Sequence, residues 1–278
     1  MYRIIHSQQL ATSVKLFRVE ARQIAKKCQP GQFVIVRSHA DSERIPLTIA
    51  DFDREEGSIT LIFQEVGSGT VRMGEIPVGG SLHDLAGPLG KPTHIENMGT
   101  VVCIGGGIGI APVYPIARAF KAAGNRVLSI IGARNESLLI LENEMAAVSD
   151  ELFITTDDGS RGRKGLVIHP LQELIDKGEQ INTVMAIGPV IMMKSVAEVT
   201  RPHHIHTIVS LNPIMVDGTG MCGGCRVNVG NKSKFACVDG PEFNAHEVDF
   251  AGLMSRQRMY QSQEKQQGCQ GGSGPCHG

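Results

Sequence analysis

Between Thr100 and Pro112 the chain reads Thr-Val-Val-Cys-Ile, then Gly105-Gly-Gly-Ile-Gly109, then Ile-Ala111-Pro112 at the mouth of a helical pattern that runs to about Ala123. A branched, apolar strand that must turn at once into a helix leaves few folds open, because such a strand needs partners on both edges and cover on both faces. Glycines in the turn let backbone approach a diphosphate, with the positive end of the helix dipole behind it. Val101 to Ala117 is apolar enough to approach a membrane span, but Gly105, Gly106, Gly107, Gly109, Pro112 and Pro115 interrupt it. The stretch is read as strand, turn and helix, with no membrane insertion.

Further strand patterns follow at Arg126–Ile131, Leu152–Thr156 and Thr183–Ile187, with helical patterns between them. This alternation predicts a parallel, doubly wound sheet whose ligands lie at the carboxyl ends of its strands. Four loops fall on that edge, and their residues are the candidate nucleotide contacts: Gly105, Gly106, Gly107, Ile108, Gly109, Ala111 and Pro112 in the first, and Arg134 in the second. Asp157, Asp158 and Gly159 stand in the third, and Gly188, Pro189 and Met192 in the fourth.

The first third has a different grammar. Val14–Val19 alternates, Gln32–Val36 and Ser58–Phe63 are rich in branched residues, and Pro30-Gly31, Gly57 and Gly79-Gly80 punctuate them. Short strands at this spacing predict a small antiparallel barrel. Within it, Arg44-Ile-Pro46-Leu47-Thr48-Ile49 sets a guanidinium ahead of a strand, and Gly67-Ser-Gly69-Thr70 opens a short helix. Either segment alone is explained by turn chemistry.

Past residue 209 lies Asp217-Gly-Thr-Gly-Met-Cys222-Gly-Gly-Cys225, with Cys237 twelve positions on. The spacing is that of a plant-type 2Fe-2S loop in which Asp217 stands where a first cysteine would lead. Zinc held by one aspartate and three cysteines, or a redox dithiol, are the competing readings. The net charge is −1, with 27 Lys and Arg against 28 Asp and Glu, so no basic surface argues for nucleic acid. Met1-Tyr-Arg-Ile-Ile-His runs straight into a strand pattern, and the expected compartment is the reducing cytoplasm.

Taken together these strings resemble the ferredoxin-NADP reductase family: the Arg44–Thr48 strand, Gly87-Pro-Leu-Gly90, Gly105-Gly-Gly-Ile-Gly-Ile-Ala-Pro112, Thr156-Asp-Asp-Gly-Ser160, Gly188-Pro-Val-Ile-Met-Met193 and the cysteine loop. In the family's flavin strand an aromatic is usual where Pro46 and Leu47 stand here. The resemblance implies an α+β multi-domain chain: an FAD-binding antiparallel β-barrel over 1–97, an NAD(P)-binding doubly wound α/β domain over 98–208, a 2Fe-2S module over 209–250 and a polar tail over 251–278. It makes Arg44, Pro46, Leu47, Thr48, Ile49, Phe63, Gly67, Gly69 and Thr70 the candidate flavin contacts, and Asp217, Cys222, Cys225 and Cys237 the cluster ligands. It names no acid, base or nucleophile, because the task is to align nicotinamide with flavin.

Among the family's bacterial electron-transfer subunits, those with four cysteines serve dihydroorotate oxidation. Those with aspartate in the first position serve electron bifurcation between NADH and ferredoxin. The aspartate form implies a larger flavin and iron-sulfur partner subunit, with ferredoxin reached only through that partner. A reading of another class is a non-catalytic zinc-containing adaptor. Cys28 and Cys103 read as ordinary small buried residues, and Cys269, Cys276 and His277 as part of the polar tail.

Overall fold

The computed structural model describes residues 1–259. Cys269, Cys276 and His277 lie outside the described residues. The chain begins with β1 (Tyr2–Ala11), β2 (Val14–Glu20), α1 (Arg22–Lys27), β3 (Phe33–Arg37), β4 (Ile45–Asp53), β5 (Ser58–Gln64), α2 (Ser68–Gly74), β6 (Ser81–Leu82) and β7 (Asp84–Leu89). The strands form one antiparallel sheet in the order β6-β1-β2-β5-β4-β3-β7. Its edge strands are consecutive in the chain, so the sheet curls until its edges approach, as the strand spacing predicts.

Alternation sorts the barrel's side chains. Ile59, Leu61 and Phe63 of β5 point inward with Phe17, Val19 and Ile49, while Ile62 faces outward. Phe17 and Phe63 meet edge to face with ring centroids 5.1 Å apart, an arrangement the ring quadrupoles favour.

The second sheet contains β8 (Thr100–Gly106), followed by α3 (Ile110–Ala122), then β9 (Arg126–Ala133), α4 (Glu142–Ala147), β10 (Glu151–Thr156), β11 (Arg163–Lys164), α5 (Ile168–Asp176), β12 (Thr183–Ile187), α6 (Val190–Thr200) and β13 (His206–Ser210). The chain then runs through the cysteine loop, a hairpin of β14 (Arg226–Val229) and β15 (Lys232–Phe235), and α7 (Ala236–Asp239). It returns as β16 (Glu242–Asn244) and ends its described part with α8 (Phe250–Gln257).

The order is β11-β10-β9-β8-β12-β13-β16, parallel throughout except for β16, which runs antiparallel to β13. The four strands expected from sequence are its centre. Along β8, Val102 and Ile104 join the core on one face while Val101 and Cys103 join the core on the other. That double cover explains the unbroken apolar run. Cys28 and Cys103 are fully buried, and burial pushes both thiols up, Cys103 to about 12.

Two contacts set the barrel against this sheet. Helix α3 packs on the outward Val14, Ala50 and Ile62 of the barrel. Beside that apolar contact the Arg118 guanidinium donates to Asp51 Oδ1 at 2.5 Å and lies 5.2 Å from the Tyr114 ring centroid. On the far side, Lys91 N donates to Gly240 O at 2.7 Å and the Thr93 hydroxyl donates to Glu242 Oε1 at 2.6 Å. Among the described residues no helix is long and apolar enough to cross a membrane.

Glu242 makes this second seam sensitive to pH. Its side chain is partly exposed as a whole, but the carboxyl end sits inside the seam, and burial raises its pKa from 4.5 to about 7 against the smaller opposing effect of the Thr93 hydroxyl. Between those values the folded protein keeps a proton that the unfolded chain has lost. The contribution to stability is therefore full below pH 4.5 and disappears as pH rises through 7, with about 3 kcal/mol as an upper bound. Glu242→Gln should raise the melting temperature relative to the parent at pH 8 and remove this slope, checked by melting both proteins from pH 5 to 8.

Candidate functional site

The barrel and the parallel sheet enclose a cavity of about 740 Å³ at the carboxyl ends of the strands. Pro46, Leu47 and Thr48 of β4 and Phe63 of β5 line its barrel side with Thr70 of α2. Gly106, Gly107, Ile108, Gly109, Ala111 and Pro112 line the other side with Arg134, Asp157, Gly188, Pro189 and Met192. The four loops expected on one sheet edge thus meet in one cavity, and the β4 strand faces them across it.

The remaining candidates stand elsewhere. Ile49 is 1% exposed, packed into the barrel core and off the cavity lining. Arg44 is exposed and does not line the cavity. Gly105, Gly67, Gly69, Asp158 and Gly159 also lie off the lining. A Cβ on Gly69 would fall 2.1 Å from Glu43 Oε1, so the missing side chain makes room for that carboxylate. Thr70 caps its helix by accepting from Val66 N and Gly67 N at 3.2 and 3.1 Å. The Asp158 carboxylate accepts from both the backbone N–H and the hydroxyl of Ser160, building the turn that leaves Asp157 to face the cavity.

Gly109 is the tightest point of the nucleotide turn. A Cβ there would lie 2.2 Å from Ile187 O and 2.8 Å from Gly188 Cα, so the start of α3 touches the end of β12 backbone to backbone. Among the described residues the lining carries two charges, Arg134 and Asp157, which continue the paired ends of β9 and β10. The other two arginines of this rim are engaged: Arg161 makes a two-pronged ion pair with Glu142, and Arg163 pairs with Glu173.

Sequence reasoning missed one wall. Ser210, Leu211, Asn212, Pro213 and Met215 line the cavity after β13, joined by Phe33 of β3. The signal was the short branched strand His206–Ser210, whose carboxyl end lies on the same sheet edge as the other loops.

The same segment leads into the cysteine loop. Gly218 turns at φ +75°, and a Cβ there would lie 2.8 Å from both Ile35 and Leu89, so the loop rests directly on barrel strands β3 and β7. Asp217 accepts from Thr219 N at 2.9 Å and from Cys222 N at 3.0 Å, and these donors, Thr219 first, hold its carboxyl below the usual carboxylate range. Cys225 and Cys237 are each 2% exposed with their sulfurs 3.2 Å apart, and Cys237 N donates to Cys225 Sγ at 3.4 Å. Burial first, then the adjacent Cys225, push the Cys237 thiol up to about 12. Cys222 is exposed and accepts from Gly224 N at 3.4 Å.

Among the described residues no three His, Cys, Asp or Glu side chains gather at one point. The four candidate ligands fall instead into an inner pair, Cys225 with Cys237, and an outer pair, Asp217 with Cys222. Two pairs, with backbone N–H groups aimed at sulfur, suit a cluster of two irons, each taking two protein ligands. Four-coordinate zinc would require all four on one ion.

Residues 212–249 match the family described as the iron-sulfur cluster binding domain of dihydroorotate dehydrogenase B, and residues 103–198 match the oxidoreductase NAD-binding domain. The chain is 45% identical over 262 residues to a Thermotoga maritima homologue of the electron-transfer subunit of NAD-dependent dihydroorotate dehydrogenase B, covering 94% of this chain and 92% of the relative. It is 34% identical to a probable subunit of that kind from Methanopyrus kandleri, covering 80% and 81%. Among solved structures it superposes on a chain of NADH-dependent reduced ferredoxin-NADP oxidoreductase, studied for flavin-based electron bifurcation, with a TM-score of 0.91, 44% identity and 97% of each chain covered. Phthalate dioxygenase reductase shares the fold at 16% identity and a TM-score of 0.62, with 82% and 85% covered.

Proposed function

Because the chain belongs to the family of dihydroorotate dehydrogenase B electron-transfer subunits and their homologues, we propose that it is the electron-transfer flavoprotein subunit of an electron-bifurcating NADH-dependent ferredoxin-NADP oxidoreductase. It would carry electrons between NAD(H), FAD and a 2Fe-2S cluster. The observation that supports this most is the cavity between barrel and sheet, whose wall continues into the cysteine loop. Nicotinamide delivers two electrons as hydride and a 2Fe-2S cluster carries one, and a flavin supplies the chemistry that joins them.

The chain's residues bind and orient. Pro46, Leu47 and Thr48 form a bed for the flavin, backed by Phe63 of the barrel core, with Leu47 and Pro46 in place of an aromatic ring. The backbone of Gly106 to Gly109, at the start of the thirteen-residue α3, receives the dinucleotide phosphates. Asp157 would accept from a ribose diol, and with Arg161 and Arg163 held in ion pairs Arg134 is, among the described residues, the one cation left on the lining to meet a 2′-phosphate. NADH is thus the preferred donor. Asp157→Asn should raise KM for NADH about tenfold, which corresponds to ~1.4 kcal/mol, and narrow the preference over NADPH, as steady-state kinetics with both nucleotides would show.

Asp217 in the position of a first cysteine favours the bifurcating system over dihydroorotate oxidation. The larger partner subunit would hold another flavin and further iron-sulfur clusters, and ferredoxin would be reached through it. The isolated chain should therefore oxidise NADH with artificial acceptors and leave ferredoxin oxidised. Dihydroorotate-driven NAD reduction by the copurified complex would favour the second reading.

The direct test is the absorption spectrum of the anaerobically purified chain, with iron and flavin quantified, before and after NADH. Flavin bands and a broad cluster absorbance that both bleach support the proposal. A colourless protein containing zinc without iron would overturn it.

A further inference from the structure

Phe33 and Met215 occupy two environments at once. Both line the cofactor cavity, and both belong to the apolar cluster that contains the inner cysteine pair, Cys225 and Cys237. They are 4% and 8% exposed, and the two cysteines 2% each. The outer side of the loop is different: Cys222 is exposed, and the neighbouring Met221 is 87% exposed. The loop therefore has a dry face toward the cavity and a wet face toward solvent.

We infer that Phe33 and Met215 are positioning residues that form a shared dry partition between the flavin and the inner thiolate pair. Cys225 and Cys237 would then hold the iron nearer the flavin, and Asp217 and Cys222 would hold the one nearer solvent. This inference rests on the function proposed above. Electron exchange across the partition would oxidise the flavin by one electron and reduce the cluster by one, with no bond made or broken.

The partition acts in two ways. It fills the gap with closely packed atoms, where a void would leave no intervening matter to couple the two groups. It also keeps water from the inner iron. Reduction adds negative charge to the cluster, and water stabilises that charge, so wetting the inner face raises the midpoint potential.

The test uses the full chain with both cofactors, comparing Met215→Ala with Met215→Leu and with Met221→Ala on the exposed rim. Flavin and iron content and bleaching of the flavin by NADH are measured first. The cluster midpoint is then read by potentiometric titration, and the relaxation of the flavin radical by power saturation of its paramagnetic resonance signal.

Met215→Ala should raise the midpoint and weaken by several-fold the enhancement of flavin relaxation by the reduced cluster, while Met215→Leu and Met221→Ala match the parent. An unchanged midpoint and relaxation in Met215→Ala with cofactors retained would overturn the inference, as would an equal shift in Met221→Ala. Should Met215→Ala lose iron, the smaller truncation Met215→Val is read by the same two criteria. A parent chain lacking flavin or iron would instead defeat the proposed function, and the content measurement separates the two failures.

Discussion

Gly109→Ala should lower the rate at which NADH bleaches the flavin by about a hundredfold, the scale expected when reacting groups are displaced by about 1 Å. The added carbon would sit 2.2 Å from Ile187 O and 2.8 Å from Gly188 Cα, and neither atom belongs to a side chain that can rotate away. Either α3 lifts from the end of β12 or β12 moves within its sheet, and both move the nucleotide turn relative to the flavin bed. Overpacking of this kind costs about 1–3 kcal/mol, so a fall in melting temperature should accompany it. Gly178→Ala, off the cavity lining at the end of α5, is the control: its φ of +77° carries strain of about 1 kcal/mol, but a Cβ there meets nothing within 4 Å. Rapid-mixing spectroscopy of the two variants checks the contrast. Normal bleaching by Gly109→Ala would mean that the nucleotide binds elsewhere.

Cys237→Ser should remove the cluster, taking iron from about two per chain to near zero, while flavin content and its bleaching by NADH persist. The serine oxygen would replace a sulfur in a site that is 2% exposed, without an acceptor arranged for it. Asp217→Cys has the opposite character: iron stays, and the midpoint and paramagnetic resonance spectrum change because a soft sulfur replaces a hard oxygen. Iron analysis and spectroscopy of the two variants distinguish them. An unchanged spectrum in Asp217→Cys would remove Asp217 from the ligand set.

The parts of this molecule that could be read from sequence are those whose causes are local. Thr100–Gly109 declares a buried strand and a close turn within ten residues, and the spacing over Asp217–Cys237 marks four candidate ligands. The candidates that lie off the cavity lining are those whose place a neighbour remote in sequence decides. Gly69 resembles part of an anion cradle until Glu43 is found above it, and Ile49 shares a strand with three lining residues but is packed into the barrel core. The strand β16 has only Phe243 as a sheet-forming signal, and β13 alone makes it a strand. The wall from Ser210 to Met215 has no motif, because a wall is defined by what stands opposite.

The placement of β16 bears on how the polypeptide reaches its native state as it is synthesised. The chain leaves the parallel sheet at Ser210, passes through all four candidate ligands, and only then supplies the strand that covers the edge of β13. A nascent chain that has emerged only as far as Ser210 therefore presents a bare β-edge with unpaired amide groups, which another strand could seize. Removing the cysteine segment as a cassette would leave that edge bare for good. Completion of the nucleotide sheet thus waits on a strand that follows the candidate cluster loop in the chain, so the two parts of the molecule share one stretch of synthesis.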